Sequence, residues 1–389
     1  MAAWVMTESS YGTDGGDDGS GYTFLPASNL SLVTDNLALL DTNWDLGRNF
    51  PTAKIAGRDL WGAEFDLPWT GLGTAAGDGS SPPAEDYLDL ILKHILATST
   101  TADGEGLVSG TTDALVLDTD DRDVQDLVAV YEDDLPSAAA ERTQWRRILT
   151  DAADGNYTVS DAWDADPTTA AIAYGTRTYQ PSDAGGSAIS LVIRQDDQDY
   201  TCSGGRVVGA RITGALDDWS RIKLAVVGDN KTAESKASLP DAVPFARTPC
   251  KPLLSPLRFN GTAYETAGFE FDFGINAAER ASTAGAQGRA EWESIGLAPM
   301  LTFSPLYTEA LNALRRSATT GRMLLQIGAG QLSGGELNTT AIHAELAQLS
   351  EVNSTDENGR IRAAAKLEIV DPGYWSSGVL SRFLQVVRA

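Results

Sequence analysis

The sequence predicts a mainly β fold (α+β), built as two β-sandwich or barrel units that share one plan and are each flanked by a helix. Three observations carry this. The 38 glycines, among abundant Asp, Asn, Ser and Thr, call for many turns and therefore many short strands. Several segments alternate apolar and polar residues with the period of two that a half-buried strand requires. An order of aromatic-bearing strand, Ser-Pro step and apolar-striped helix occurs twice, from Trp61 to Leu96 and from Gly288 to Leu314.

The totals bound the problem. A chain of 389 residues with 42% apolar content is long enough for two or three domains and a substantial core. It holds 54 acidic and 29 basic residues, a net charge of -25, which argues against gripping nucleic acid through its phosphates. The imbalance is uneven: residues 1–150 carry 26 acidic and 8 basic side chains, the remainder 28 and 21. Cys202 and Cys250 are too few to staple a chain of this size, so both are expected to be reduced, buried thiols. The start, Met1 to Thr7, has no basic region followed by an apolar run, and no apolar stretch reaches the ~20 residues of a membrane span. A soluble protein that does not use the usual export route is expected. The six Asn-X-Ser/Thr triplets then reflect composition rather than glycosylation.

Taken in order, Ser9 to Gly21 is polar and glycine-rich and lacks the alternating ligands and closing Glu of a calcium loop. Tyr22 to Leu40 and Thr52 to Trp69 supply strands, and Trp61, Phe65 and Leu67 share the buried face of the second. Ser81-Pro82 offers an N-cap and first-turn proline for a helix striped by Tyr87, Leu88, Ile91, Leu92, Ile95 and Leu96. His94, at the rim of that stripe and without a second His or Cys nearby, reads as a packing residue.

From Asp103 to Asp134 there are eleven acidic residues and one arginine. Asp118 to Asp123 fails the EF-hand pattern, because Arg122 falls at the fifth-position ligand and Asp123 replaces the glycine. A solvated acidic face is expected. Thr143 to Asp151 and Asn156 to Trp163 form a hairpin across Asp154-Gly155, and Trp145, Arg146 and Arg147 read as a site of local ion pairing. Residues 118–174 thus form a small acidic β insertion in a first domain made of residues 1–117 and 175–230.

The strand Ser187 to Gln195 leads to a ribbon of two antiparallel strands, Arg206 to Gly214 and Ser220 to Gly228, whose apolar residues alternate through Val208, Ala210, Ile212, Ile222, Leu224 and Val226. Five prolines then make 231–256 a linker. The second domain, 257–389, has its helix opened by Ser304-Pro305 and striped by Leu306, Ala310, Leu311 and Leu314. Thr340 to Val352 alternates as a strand despite its helix-forming residues.

Catalytic signatures are missing. There is no G-x-S-x-G elbow, and neither His sits beside a nucleophile. The glycines from Gly328 to Gly334 miss the dinucleotide spacing and precede a strand rather than a phosphate-binding helix. No catalytic, cofactor-binding or metal-ligating residue is assigned, and no cofactor is expected. A paired-carboxylate glycosidase stays open, since it depends on a spatial separation of roughly 5–9.5 Å.

In the order of these elements the chain resembles the tail tube (major tail) proteins of long-tailed, siphovirus-like bacteriophages. The similar features are Glu8-Ser-Ser-Tyr11-Gly12, the strand from Gly57 to Gly62 before a helix, Arg146 to Pro167 leading into Thr176 to Pro181, and above all Cys202-Ser-Gly-Gly-Arg206-Val207. The likeness spans most of residues 7–230 and is weaker from Leu257 onward. The loose Gly-Asp opening and the acidic insertion depart from it.

The resemblance implies a β-sandwich or barrel flanked by a helix, with sheets joined side by side into a ring and rings stacked into a tube that conducts DNA. It implies a structural virion protein rather than an enzyme, assembled in the host cytoplasm, with tape measure, tail terminator and distal tail proteins as partners and DNA passing without specific contact. An acidic lumen would repel a duplex that carries one charge per ~1.7 Å. If both halves carry the tube fold, three chains build a ring of six similar units, and one tube fold per chain would call for six chains. The trimer is preferred. A surface adhesin or receptor-binding β protein, and a carboxylate-based carbohydrate-active enzyme, are the alternatives.

Overall fold

The computed structural model describes residues 2–9, 19–33, 39–41, 54–56, 61–74, 80–111, 113–118, 122–123, 126–131, 143–151, 155–161, 163, 167, 172–181, 186–195, 198–216, 218–234, 236–242, 247–251, 257–281, 289–331, 337–357, 360–370 and 383–389. The fold is mainly β, as the alternation requires, with 28 strands and two short helices among these residues.

The chain opens with β1 (Ala2–Thr7), β2 (Thr23–Leu25) and β3 (Ser28–Val33), then a two-stranded hairpin of β4 (Leu39–Asp41) and β5 (Lys54–Ala56), then β6 (Trp61–Pro68) and helix α1 (Tyr87–Leu96). An insertion follows: β7 (Thr98–Ala102), β8 (Glu105–Thr111), β9 (Ala114–Leu117), β10 (Leu127–Tyr131), β11 (Thr143–Asp151), β12 (Asn156–Val159), β13 (Ile172–Ala173) and β14 (Thr176–Gln180). The first unit closes with β15 (Ile189–Gln195), β16 (Gln198–Ala215), β17 (Arg221–Gly228) and β18 (Asn230–Ala233).

The second unit repeats this order without the insertion. It runs β19 (Leu257–Phe259), β20 (Thr262–Tyr264), β21 (Thr266–Asp272), a hairpin of β22 (Ile275–Ala281) and β23 (Arg289–Leu297), β24 (Met300–Pro305) and helix α2 (Glu309–Arg316). It ends with β25 (Thr320–Gln331), β26 (Leu337–Glu357), β27 (Arg360–Ile369) and β28 (Leu384–Arg388).

The strand pairings are duplicated as well as the order. β1 pairs with β2 and β15, as β19 pairs with β20 and β25. β6 lies between β3 and β17, as β24 lies between β21 and β27. The long strands β16 and β26 each take the preceding strand along their first half and the following strand along their second, with β18 and β28 filling the remaining side. Both carry a bulge where the partner changes, at Val207/Gly209 and at Leu349/Glu351, and such a bulge bends a strand from one sheet face toward another.

Local sequence explains the elements. In β6 the buried face is Trp61, Ala63, Phe65 and Leu67, with Gly62, Glu64 and Asp66 on the other side, the period a strand enforces. Helix α1 turns Leu88, Ile91, Leu92, Ile95 and Leu96 into the same core, and Phe259, Phe271, Leu301, Phe303 and Leu367 of the second unit join it. One core therefore runs through both units. Asn260-Gly261, both with positive φ (49° and 76°), make the two-residue turn between β19 and β20, the pairing a tight hairpin favours.

Several expectations change. The helix starts at Tyr87 with Asp86 as N-cap, not at Ser81-Pro82, because Asp86 and Asp89 form a reciprocal capping box. Helix α2 likewise starts after Thr308, and β24 runs through Pro305. Of its expected stripe Leu311 is buried, while Leu306 and Ala310 are exposed.

Pairing gathers β8 to β13 into a closed six-stranded barrel, so Glu105–Leu117 joins the barrel with residues from the 118–174 stretch. Chain entry and exit lie side by side, since β7 pairs with β14. The acidic run is not wholly solvated: Glu105 and Arg122 are buried, bonded at 3.1 Å, and Arg122 also donates to the Tyr174 and Asp103 carbonyls. Arg147 pairs with Glu345 of the second unit, a carboxylate outside the local acidic run. Arg146 packs over the Trp163 ring and donates to main-chain carbonyls.

The proline-rich stretch is laid against the fold at its described positions. β18 adds a strand to β16, the Pro240 carbonyl accepts from Trp4 Nε1, and Cys250 bridges Trp69 and Ser220 through its main chain. Residues 10–18 of the Ser9 to Gly21 stretch lie outside the described residues, as do residues 332–336 of the glycine-rich turn.

Candidate functional site

The two units meet along β16, the first strand of the ribbon, and again where β14 pairs with β28. The end of β16 pairs antiparallel with β21 in the register Arg211↔Asp272, Ile212↔Phe271, Thr213↔Glu270, Gly214↔Phe269 and Ala215↔Gly268. Ile212 and Phe271 are fully buried at its centre. On the outer face Arg211 bonds Asp272 at 2.8 Å and approaches Glu270 at 3.7 Å. The hairpin β22–β23 lies alongside β16. The units are thus welded edge to edge by ladder hydrogen bonds, with the side-chain pair beneath excluding water.

A buried charge cluster ties the same units together at a second point. Asp89, fully buried in the first turn of α1, accepts from Arg177 and Tyr179 of β14 and from Arg388 of β28. Asp86 accepts from Arg388 Nη2 at 2.7 Å and from Arg247 at 3.0 Å, besides the Leu88 and Asp89 amides. Arg388 also donates to the Thr70 and Gly71 carbonyls. Burial acts to raise the Asp86 carboxyl, but the charge and hydrogen bonds of Arg388, with Arg247 beside it, hold it below the usual carboxylate range. Burial likewise acts to discharge Arg388, and the carboxylates of Asp86 and Asp89 outweigh it, keeping the guanidinium firmly charged.

Above this cluster opens a cleft of about 380 Å³, lined by Tyr22, Phe24, Tyr87, Asp86, Asp241 and Arg247. The Asp86 carboxylate on its floor is committed to two guanidiniums and a helix N-terminus. Among the described residues no three His, Cys, Asp or Glu gather to hold a metal ion, and no helix is long and apolar enough to cross a membrane.

The residues singled out in the sequence take structural positions. His94 is buried, accepts from the Val207 amide at 3.1 Å through Nε2, and bonds the Ser187 carbonyl through Nδ1. Burial, with the charge of Arg206 adding to it and the Ser187 bond opposing, lowers its pKa to about 3. Burial also drives His343 well below its ordinary value, helped by the charges of Arg147 and Arg322. Cys202 and Cys250 are free, buried thiols, pushed up to about 12 by burial. The sequence reading missed the cluster of Asp86, Asp89, Arg177 and Arg388. Its legible trace was the Asp-x-x-Asp capping spacing and Arg388 following the apolar pair Val386-Val387.

No protein-family model matches the chain, and no curated protein matches it.

Proposed function

We propose that this protein is a structural virion protein that assembles into stacked rings and forms the tail tube of a long-tailed bacteriophage, a conduit for DNA during genome ejection. The observation that carries the reading is the edge-to-edge weld of two topologically duplicated units through β16 and β21. A unit that already joins its twin by sheet extension carries the geometry of a head-to-tail contact, and such contacts close into rings when the rotation allows. The sequence resemblance described above points to the same class.

Duplication favours three chains per ring, giving six similar units. The net charge of -25 suits a conduit, because a like-charged wall gives a passing duplex no counterions to release and no hold. Tape measure, tail terminator and distal tail proteins are the partners this reading calls for. Both hairpin ends that follow the long strands carry exposed apolar side chains, Leu216 and Trp219 after β16 and Ile361 after β26, a placement suited to ring-on-ring contact.

Negative-stain microscopy of the full purified chain tests the reading. Hollow tubes of uniform width, with rings of three chains, are expected. Monomers or closed oligomers that never stack, even at high protein concentration, would overturn the tube, and rings of six chains would overturn the trimer.

A further inference from the structure

Among the described residues, one pairing between the units lacks its counterpart. β16 of the first unit takes β21 of the second along its free side. The equivalent of β16 is β26, and the equivalent of β21 is β3. Among the described residues β3 pairs on one side only, with β6. β26 is covered by β25 up to Gln348, and from Glu351 to Glu357 it pairs, among the described residues, only with β27, on the other side. The two halves of a junction are therefore present on one chain, at places where they do not meet each other.

The shared bulges align the halves residue by residue. Val207/Gly209 matches Leu349/Glu351, so Ala210, Arg211 and Ile212 correspond to Val352, Asn353 and Ser354. Leu32 stands opposite Ala63 as Phe271 stands opposite Leu301, so Leu30 and Leu32 correspond to Phe269 and Phe271. Both β3 and β21 also shift register in the same part of the strand, between Ser28 and Ser31 and between Thr266 and Phe269, one residue apart in this alignment. Burial differs in one direction. Ala210, Phe269 and Phe271 are buried, whereas Val352, Leu30 and Leu32 pack on the core and stay half exposed. These apolar residues lie where a neighbouring strand would cover them.

We propose that a second copy of this chain lays the edge Ser28–Val33 along the edge 351–357 of the first, antiparallel, in the register Asn353↔Val33, Ser354↔Leu32 and Thr355↔Ser31. The contact is heterologous, so each copy offers one edge forward and one back, and repetition closes or extends the assembly. This deepens the tube reading by naming the surface each copy presents to the next. Asn353 faces Val33 where Arg211 faces Asp272, so the contact between copies lacks the internal ion pair and draws on main-chain bonds and the covered leucines.

Disulfide trapping tests it. Full-length Leu32→Cys and Ser354→Cys variants are mixed, oxidised and read as covalent dimers on a non-reducing gel, and the two native thiols are buried and add no background. Side chains one residue out of step point to opposite faces of a strand, so the control mixes Leu32→Cys with Asn353→Cys. The in-register mixture is expected to give about tenfold more dimer than the control, since a disulfide needs Cβ atoms ~3.8 Å apart. Where Leu32→Cys melts early, amide hydrogen exchange of the unsubstituted chain reads the same contact, with slower exchange over residues 28–33 and 351–357 expected on assembly. No dimer, or equal dimer in both mixtures, overturns the proposal. Tubes in the microscope without the trapped dimer would overturn this register and leave the tube reading standing. The trapped dimer without tubes would do the reverse.

Discussion

Arg388 Nη2 lies 2.7 Å from Asp86 Oδ2, so the last strand of the second unit is fastened to the N-cap of the first unit's helix. The guanidinium has no exposed surface and satisfies two carboxylates and two carbonyls at once. Replacing Arg388 with Met leaves Asp86 and Asp89 in a buried site short of positive charge. A loss of about 3–5 kcal/mol is expected, the usual cost of breaking a buried pair from one side. Chemical denaturation of the purified variant measures it, and a loss under about 1 kcal/mol would show that the cluster is not a fastening.

Acid should destabilise the fold before its carboxylates titrate. His94 falls from its ordinary 6.5 to about 3 in the folded chain, so the unfolded chain binds the extra proton between those values. Its contribution is complete above pH 6.5 and is lost as pH falls toward 3. His343 acts in the same direction, and Asp86, held below 3.8, adds to the loss at lower pH. From His94 alone, unfolding at pH 4.5 should cost roughly 2–3 kcal/mol less than at pH 7. Denaturation midpoints at the two pH values measure this, and His94→Gln should flatten the dependence.

The weld between units should depend on its buried pair more than on its surface charges. Phe271→Ala empties a fully buried site opposite Ile212 and is expected to cost about 3–5 kcal/mol. Arg211→Ala removes ion pairs whose arginine is 55% exposed and should cost under about 1 kcal/mol. Comparable losses in the two variants would mean that the charges, not the core, hold the junction.

Ring stacking, in the function proposed, should be separable from folding. Leu216 and Ile361 are 55% and 58% exposed, so Leu216→Asp with Ile361→Asp should leave the unfolding midpoint nearly unchanged, within about 0.5 kcal/mol. Tube length in negative stain should fall sharply. Tubes of unchanged length would remove these hairpin ends from the stacking contact.

The sequence carried the local period clearly and the boundaries less so. Trp61, Phe65 and Leu67 declared their buried face, and Tyr87 to Leu96 declared its stripe, because alternation and 3.6-residue spacing are properties of neighbours in the chain. The helix starts were misplaced because two capping signals competed. Ser81-Pro82 and Ser304-Pro305 match the N-terminal preference, yet Asp86 and Thr308 satisfy the amides. The ion-pair role of Arg147 was legible, but its partner Glu345, far along the chain, was not.

What the sequence determined by itself was the β class, the repeated order of strand and helix, and the reduced state expected of two isolated thiols. Each rests on composition or on spacing between near neighbours. Only the tertiary structure decided that the repeat extends to the pairings, that β16 meets β21, and that Asp86, Asp89, Arg177 and Arg388 share one buried site. Strand partners and buried ion pairs are chosen by which surfaces exclude water together, and residues as distant as Asp89 and Arg388 are brought into that choice by the folded chain alone.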